Sequence, residues 1–148
     1  MKHPVKIVVP LYTEHLSRVE DETLAHNMKV LQGHPVCFLC PEGLDMTAHT
    51  ARYPFAEVMR VSDEWLGRKR GIQGYNEMMM SAAFYDRFAD CEYILICHTD
   101  AWIFRDEVLA WTEKGYDQVA APWPMRPRYT RFPLSLYVKM ERHFAIGG

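Results

Sequence analysis

Three short apolar runs constrain this chain more than any other feature: Val5-Lys-Ile-Val-Val9, Val36-Cys-Phe-Leu-Cys40 and Tyr93-Ile-Leu-Ile-Cys97. Each lacks the in-out alternation of a strand with one wet face. Runs of this kind belong to strands covered on both faces, the usual state of a parallel sheet. Helical signals lie between them. Ser17 with Glu20 three residues on has the capping-box pattern. Leu24, Met28 and Leu31 then recur on one helical face, and Gly33 and Pro35 end that helix. A further strand is expected at 57–61, and Ser62 is expected to cap a short turn. Residues 46–56 read as irregular, with Tyr53, Pro54 and Phe55 as an anchor. A helix is expected over 73–88. Its Tyr75, Met78, Met79, Ala82, Phe84 and Phe88 make it apolar nearly all round, hence sandwiched. A short helix over 106–114 ended by Gly115, and a fifth strand over 118–121 closed by Pro122 and Pro124, complete the order. This is α/β alternation, with a mostly parallel sheet flanked by helices.

The 148 residues set a single domain as the expectation, and 49% apolar with 24% charged residues is globular composition. A net charge of -2 disfavours a dedicated nucleic-acid binder. The charge is uneven: residues 1–123 carry 12 basic against 18 acidic side chains, and residues 124–148 carry 5 against 1. Over residues 123–144 Trp123, Tyr129, Phe132, Tyr137 and Phe144 interleave with Arg126, Arg128 and Arg131. The aromatics pack in a core with the arginines at a binding edge or partner surface, or they stack on RNA. No stretch approaches the ~20 apolar residues of a membrane span. Met1-Lys-His-Pro4 leads into the first strand without a signal-peptide apolar region, so a cytoplasmic protein with no transmembrane segment is expected.

Cys37 and Cys40 have the C-x-x-C spacing of zinc and redox motifs. Residues three apart in a strand point to opposite faces, and Pro41 stands where a redox motif needs a helix start. Buried, reduced core thiols are therefore expected, in keeping with a cytoplasmic protein.

Ligands of open parallel sheets bind outside the carboxyl ends of the strands. The loops at 10–15, 41–45 and 98–104 leave that edge and carry Tyr12, Glu14, Glu42, Asp45, His98, Thr99, Asp100 and Trp102. In an extended segment His98 and Asp100 share one side. Such a pair holds one divalent cation, or ribose and phosphate through it. Alternatively Asp100 caps the next turn and His98 is a satisfied strand-end histidine. Arg68, Lys69 and Arg70 precede a helix N-terminus, where unpaired N–H groups attract anions, or they form a solvated charge run. Asn76, on the first turns of that helix, points back to the sheet edge or is a simple polar position. The G-x-G-x-x-G and G-x-x-x-x-G-K-[ST] phosphate loops and the G-x-S-x-G elbow are missing from the sequence.

Several segments, taken in order, carry a resemblance: Val8-Val-Pro-Leu-Tyr12, Cys40-Pro-Glu-Gly-Leu-Asp45, Gly74-Tyr-Asn-Glu-Met-Met-Met-Ser81, Phe84-Tyr-Asp-Arg-Phe88, Tyr93 through Phe104, and Gly115 through Trp123. Over about residues 5–123 the chain resembles an uncharacterised bacterial domain-of-unknown-function family related to GT-A-type glycosyltransferases. The resemblance implies a GT-A-like (Rossmann-like) nucleotide-sugar-binding α/β domain over 1–123, with 124–148 a basic aromatic tail starting an acceptor region. In such enzymes a D-x-D at the end of a central strand binds Mn or Mg and, through it, the donor diphosphate. The matching places are His98-Thr99-Asp100 or Asp100-Ala101-Trp102, so the implied metal residues are His98 and Asp100. By the same resemblance Pro10, Tyr12 and Glu14 line the base and ribose pocket, and Glu42 and Asp45 meet the base or ribose. Arg70 and Asn76 approach the diphosphate or sugar, and Thr99 and Trp102 belong to the same donor site.

Relatives continue through an Asn-Gly-Gly type segment into an acceptor half, whereas this sequence stops at Ala145-Ile-Gly-Gly148. A donor-binding half lacking its C-terminal acceptor half is the expectation. Glu141 is the only acid after Trp123, and no general base is nominated. The implied function is transfer of a sugar from a nucleotide-diphosphate donor to a saccharide or other hydroxyl acceptor, as in polysaccharide synthesis, with the tail available for peripheral contact with an anionic membrane. The alternative is a non-catalytic nucleotide-sugar or partner-binding module.

Overall fold

The computed structural model describes residues 3–67 and 69–120. β1 (His3–Pro10), β2 (Val36–Pro41), β3 (Glu57–Val61) and β4 (Cys91–Ile96) form one four-stranded, all-parallel sheet in the order β3-β2-β1-β4. β1 is hydrogen-bonded on both sides, and Val5, Ile7, Val8 and Val9 are buried completely or nearly so. That is what its unbroken apolar run dictates. Among the described residues the helices are α1 (Arg18–Val30), α2 (Thr47–Arg52), α3 (Gly71–Met79), α4 (Ala82–Tyr85) and α5 (Val108–Thr112), and a 3-10 turn spans Asp86–Phe88.

The pleat divides the core into two. Val5, Ile7, Val9, Phe38 and Cys40 pack on one face with Leu24, Met28 and Leu31 of α1 and with Met46 and Tyr53 flanking α2. Val8, Cys37 and Leu39 pack on the other with Leu66, Met78, Phe84 and Phe88. A parallel sheet sandwiched between helical layers, with its strand order reversing at β1, is a Rossmann-like arrangement. Cys37 and Cys40 lie in opposite layers, so they neither chelate one metal nor pair. Burial pushes the Cys37 thiol up to about 12.

α1 begins as its sequence dictates. The Ser17 hydroxyl accepts from the Glu20 N–H, and the Glu20 carboxylate accepts from the Ser17 N–H at 2.9 Å. Ser62 closes a turn: its hydroxyl accepts from the Glu64 N–H at 3.2 Å and its backbone carbonyl from the Trp65 and Leu66 N–H groups. The helix expected over 73–88 is in fact broken. Ser81 is extended, so α3 stops at Met79 and α4 starts at Ala82. The break rephases the chain: Met78, Phe84 and Phe88 are all buried, although a spacing of six residues would turn the first two apart on one continuous helix. Nor is this segment sandwiched, since Met80 and Tyr85 are 87% and 47% exposed.

Residues 47–52 form a helix where irregular structure was expected, and the reason is local. Asp45, just ahead of it, accepts from the Thr47 N–H and hydroxyl at 2.9 and 2.7 Å. Tyr53 does anchor this region, but Phe55 is exposed. α5 is shorter than the helix expected over 106–114, because Asp106 accepts from the Val108 N–H and holds the preceding turn open. Residues 118–120 are in no strand. Arg68, position 121 of the expected fifth strand, and the tail of 124–148 lie outside the described residues. The chain divides into compact units Met1–Glu113 and Lys114–Gly148, and the elements above belong to the first.

Lys6 is the one charge inside β1, 3% exposed, and it bonds Asp90 at 2.6 Å and Glu57 at 3.0 Å. Burial pulls the Lys6 pKa down, but the two carboxylates outweigh it and the net shift is upward. Asp90 is held below the usual carboxylate range by the same bond. Its contribution to stability is therefore present above the ordinary carboxylate pKa of about 4, and it is lost as pH falls through the lower folded value. Asp90→Asn should cost about 1 kcal/mol at neutral pH. Its deficit against wild type should close as pH falls through that lowered value, as urea unfolding at a series of pH values will show.

Gly74 is required by close approach. A Cβ there would drive into the backbone carbonyl of Glu64, so the first turns of α3 pack directly on the turn after β3. Gly74→Ala should destabilise by about 2–3 kcal/mol, measured by the same urea unfolding.

Candidate functional site

The strand order reverses between β1 and β4, because β1 continues to β2 on one side while β4 joins it from the other. At such a switch point the loops leaving the two strands diverge and open a crevice at the carboxyl edge. Tyr12 follows β1 at that edge and is 42% exposed, and His98 follows β4. Tyr75 of α3 meets them: its hydroxyl lies 3.0 Å from His98 Nε2, with the rings edge to face. Burial, then the neighbouring Tyr75 and Asp100, push the Tyr12 hydroxyl up to about 12. Burial also raises Tyr75, with Tyr85 adding to it. Both phenols are therefore neutral hydrogen-bonding groups at ordinary pH.

Residues 98–101 are a turn, closed by the Ala101 N–H donating to the His98 carbonyl at 3.1 Å. The in-out alternation of a strand therefore does not govern His98 and Asp100. His98 is half-buried and holds Tyr75 through Nε2, which leaves Nδ1. Asp100 is exposed. Thr99 donates from its hydroxyl to Glu20 Oε1 at 3.3 Å, so the capping box of α1 also touches this turn. Ser17 and Thr99 together hold the Glu20 carboxyl below its usual range, Ser17 with the larger effect.

One buried side chain fixes this loop. Asn27 of α1 is fully buried. Its Nδ2 donates to the Ala101 carbonyl at 2.7 Å, and its Oδ1 accepts from the Ile103 N–H at 3.0 Å. One helix earlier in the chain thus reads the backbone on both sides of Trp102. His26 adds a ring nitrogen 2.8 Å from the Ile103 carbonyl and stacks on Trp102, centroids 3.8 Å apart.

The remaining expected residues scatter along the same edge. Pro10 is buried at the end of β1, and Glu14 is exposed on the loop beyond it. His49 of α2, 7% exposed, braces that loop through the Thr13 carbonyl at 3.1 Å. Glu42 and Asp45 follow β2, on the far side of β1 from β4. Arg60 donates to the Pro41, Glu42 and Leu44 carbonyls and so sets this loop. Asp45 serves Thr47, which lowers its pKa. Arg70 is paired with Glu77 of α3, and Asn76 is exposed on the same helix.

Tyr75, Asn27 and His26 were not foreseen as site residues. Asn27 does leave a sequence signal, since it falls on the helical stripe of Leu24 and Leu31, where a polar residue is out of place. Among the described residues no three His, Cys, Asp or Glu side chains converge, and no helix is long and apolar enough to cross a membrane.

The parallel sheet, with Tyr12, Tyr75 and His98 at the edge where its strand order reverses, defines a Rossmann-like α/β protein. Within that class the chain belongs to the family described as protein of unknown function (DUF5672), whose model matches residues 55–148. The match takes in Tyr75, His98, Asp100 and Trp102. No curated protein matches the chain.

Asn27→Leu leaves the Ala101 carbonyl and the Ile103 N–H without their partner. It should cost about 2–3 kcal/mol. Hydrogen exchange should show the Ile103 amide losing protection while the amides of β1 keep theirs.

Proposed function

We propose that this chain is a glycosyltransferase-like domain that binds a nucleotide-diphosphate sugar in the crevice between β1 and β4 and transfers the sugar to a hydroxyl acceptor. The observation that carries the reading is the grouping of Tyr12, Tyr75, His98 and Asp100 where the strand order reverses. The resemblance of the same segments to an uncharacterised family related to GT-A-type glycosyltransferases supports it. By that resemblance Asp100 and His98 would be the residues to hold a Mn or Mg ion. One carboxylate with diphosphate oxygens and waters is within the usual coordination of such ions. The ion would offset the charge that grows on the leaving diphosphate. On the chain's side, Tyr75 orients the His98 ring and Tyr12 offers a neutral hydroxyl to ribose or phosphate.

One observation favours the second reading, a module that binds the nucleotide sugar without turnover. Asp100 is the single carboxylate of the 98–104 loop, and Arg70 already serves Glu77.

A thermal-shift panel of UDP-, GDP- and TDP-sugars with and without manganese tests both readings. At least one sugar nucleotide should raise the melting point of the full chain. Asp100→Asn should weaken that ligand about tenfold or more by calorimetry, equivalent to about 1.4 kcal/mol, while the unliganded melting point stays put. A flat panel, or wild-type affinity in Asp100→Asn, defeats the proposal. Radiolabelled donors that bind but are neither hydrolysed nor transferred select the binding module.

A further inference from the structure

Trp102 is half exposed, at 48%, yet its ring has a stacking partner. The His26 imidazole lies flat against one indole face, 12° from parallel. His26 is itself held by the Ile103 carbonyl. The backbone before and after Trp102 is clamped by Asn27. Phe104, two residues on, makes a telling contrast: it is 87% exposed and has no ring partner among the described residues. An exposed indole backed by a ring and pinned at both flanking peptides presents its free surface in a fixed orientation, so a ligand that stacks on it meets little ordering cost.

The surroundings choose the ligand. Two and three residues before Trp102 on the same turn come the exposed Asp100 and Thr99, whose hydroxyl donates to the Glu20 carboxylate. Arg105, the nearest cation along the loop, is already paired with Glu107 at 2.9 Å. Carboxylates near an apolar platform accept from hydroxyl donors, and they repel a phosphate that no cation bridges to them. A sugar ring meets both demands, with C–H groups on its face and hydroxyls on its rim.

We propose that Trp102, backed by His26 and set by Asn27, is the stacking platform for a neutral saccharide. On the reading above, this saccharide is the acceptor, placed on the same turn as His98 and Asp100. The platform itself does not depend on that reading.

The test follows the indole N–H resonances of the full chain by NMR. Maltotriose, cellotriose and chitotriose are titrated separately, with UDP as the control, and Trp102→Phe assigns the resonance. At least one trisaccharide should shift the Trp102 signal saturably, and Trp102→Ala should weaken its binding about tenfold. His26→Ala should weaken binding several-fold, and His26→Phe, which restores a backing ring, should recover most of it. Three results overturn the inference: no trisaccharide moves the resonance at millimolar concentration, Trp102→Ala binds as wild type does, or UDP moves the signal as strongly as the sugars. Trisaccharide binding with a flat sugar-nucleotide panel would leave the platform standing and remove the transferase reading. Nucleotide-sugar binding with an unmoved Trp102 signal would do the reverse.

Discussion

Everything in this structure is referred to β1, a strand buried from Val5 to Pro10. Its backbone is paired in parallel on both edges, and its side chains are covered on both faces. A parallel neighbour on each edge forces crossover connections, and crossovers put helices on the faces. Once β2 and β3 have been laid down on one side of β1, the chain must cross to the other side to add β4. The switch point is thus a consequence of burying β1, and the candidate site is a consequence of the switch point. Lys6 is the exception that this strand tolerates, because Asp90 and Glu57 meet its ammonium before it is stranded in the core.

The site is organised from behind by α1. The capping box that starts this helix uses Glu20, and the same carboxylate accepts from Thr99. Two turns later His26 and Asn27 hold the loop that carries Asp100 and Trp102. A helix is a stiffer support than a loop, so the geometry of the 98–103 segment is inherited from a regular element. On the opposite side, Gly74 lets α3 settle close enough to the turn after β3 for Tyr75 to reach His98. Two helices from opposite layers of the sandwich therefore meet at one turn.

Much of the fold was legible in the residues. The apolar runs gave the strands, Ser17 and Glu20 gave the start of α1, and the C-x-x-C pair was placed on opposite faces by strand geometry alone. The miss at 47–52 has a local cause: Asp45 and Thr47 form a capping turn, and such a turn initiates a helix too short to show periodicity. The break at Ser81 went unseen for a different reason. An apolar residue at nearly every position is compatible with many helical phases, and only the demand that Met78, Phe84 and Phe88 all reach the core selects a broken one.

Sequence by itself determined which edge of the sheet would carry the polar loops, because strand direction and loop position follow from the order of the elements. It determined, too, that His98, Asp100 and Trp102 would share one segment. Their environment was settled only by tertiary structure. The Tyr75 contact to His98, the Asn27 clamp and the His26 stack join residues that stand 23, 74 and 76 positions apart or similarly far along the chain. No local propensity encodes such contacts. They exist because close packing of two helical layers on one buried strand leaves those side chains a single place to satisfy their polar groups.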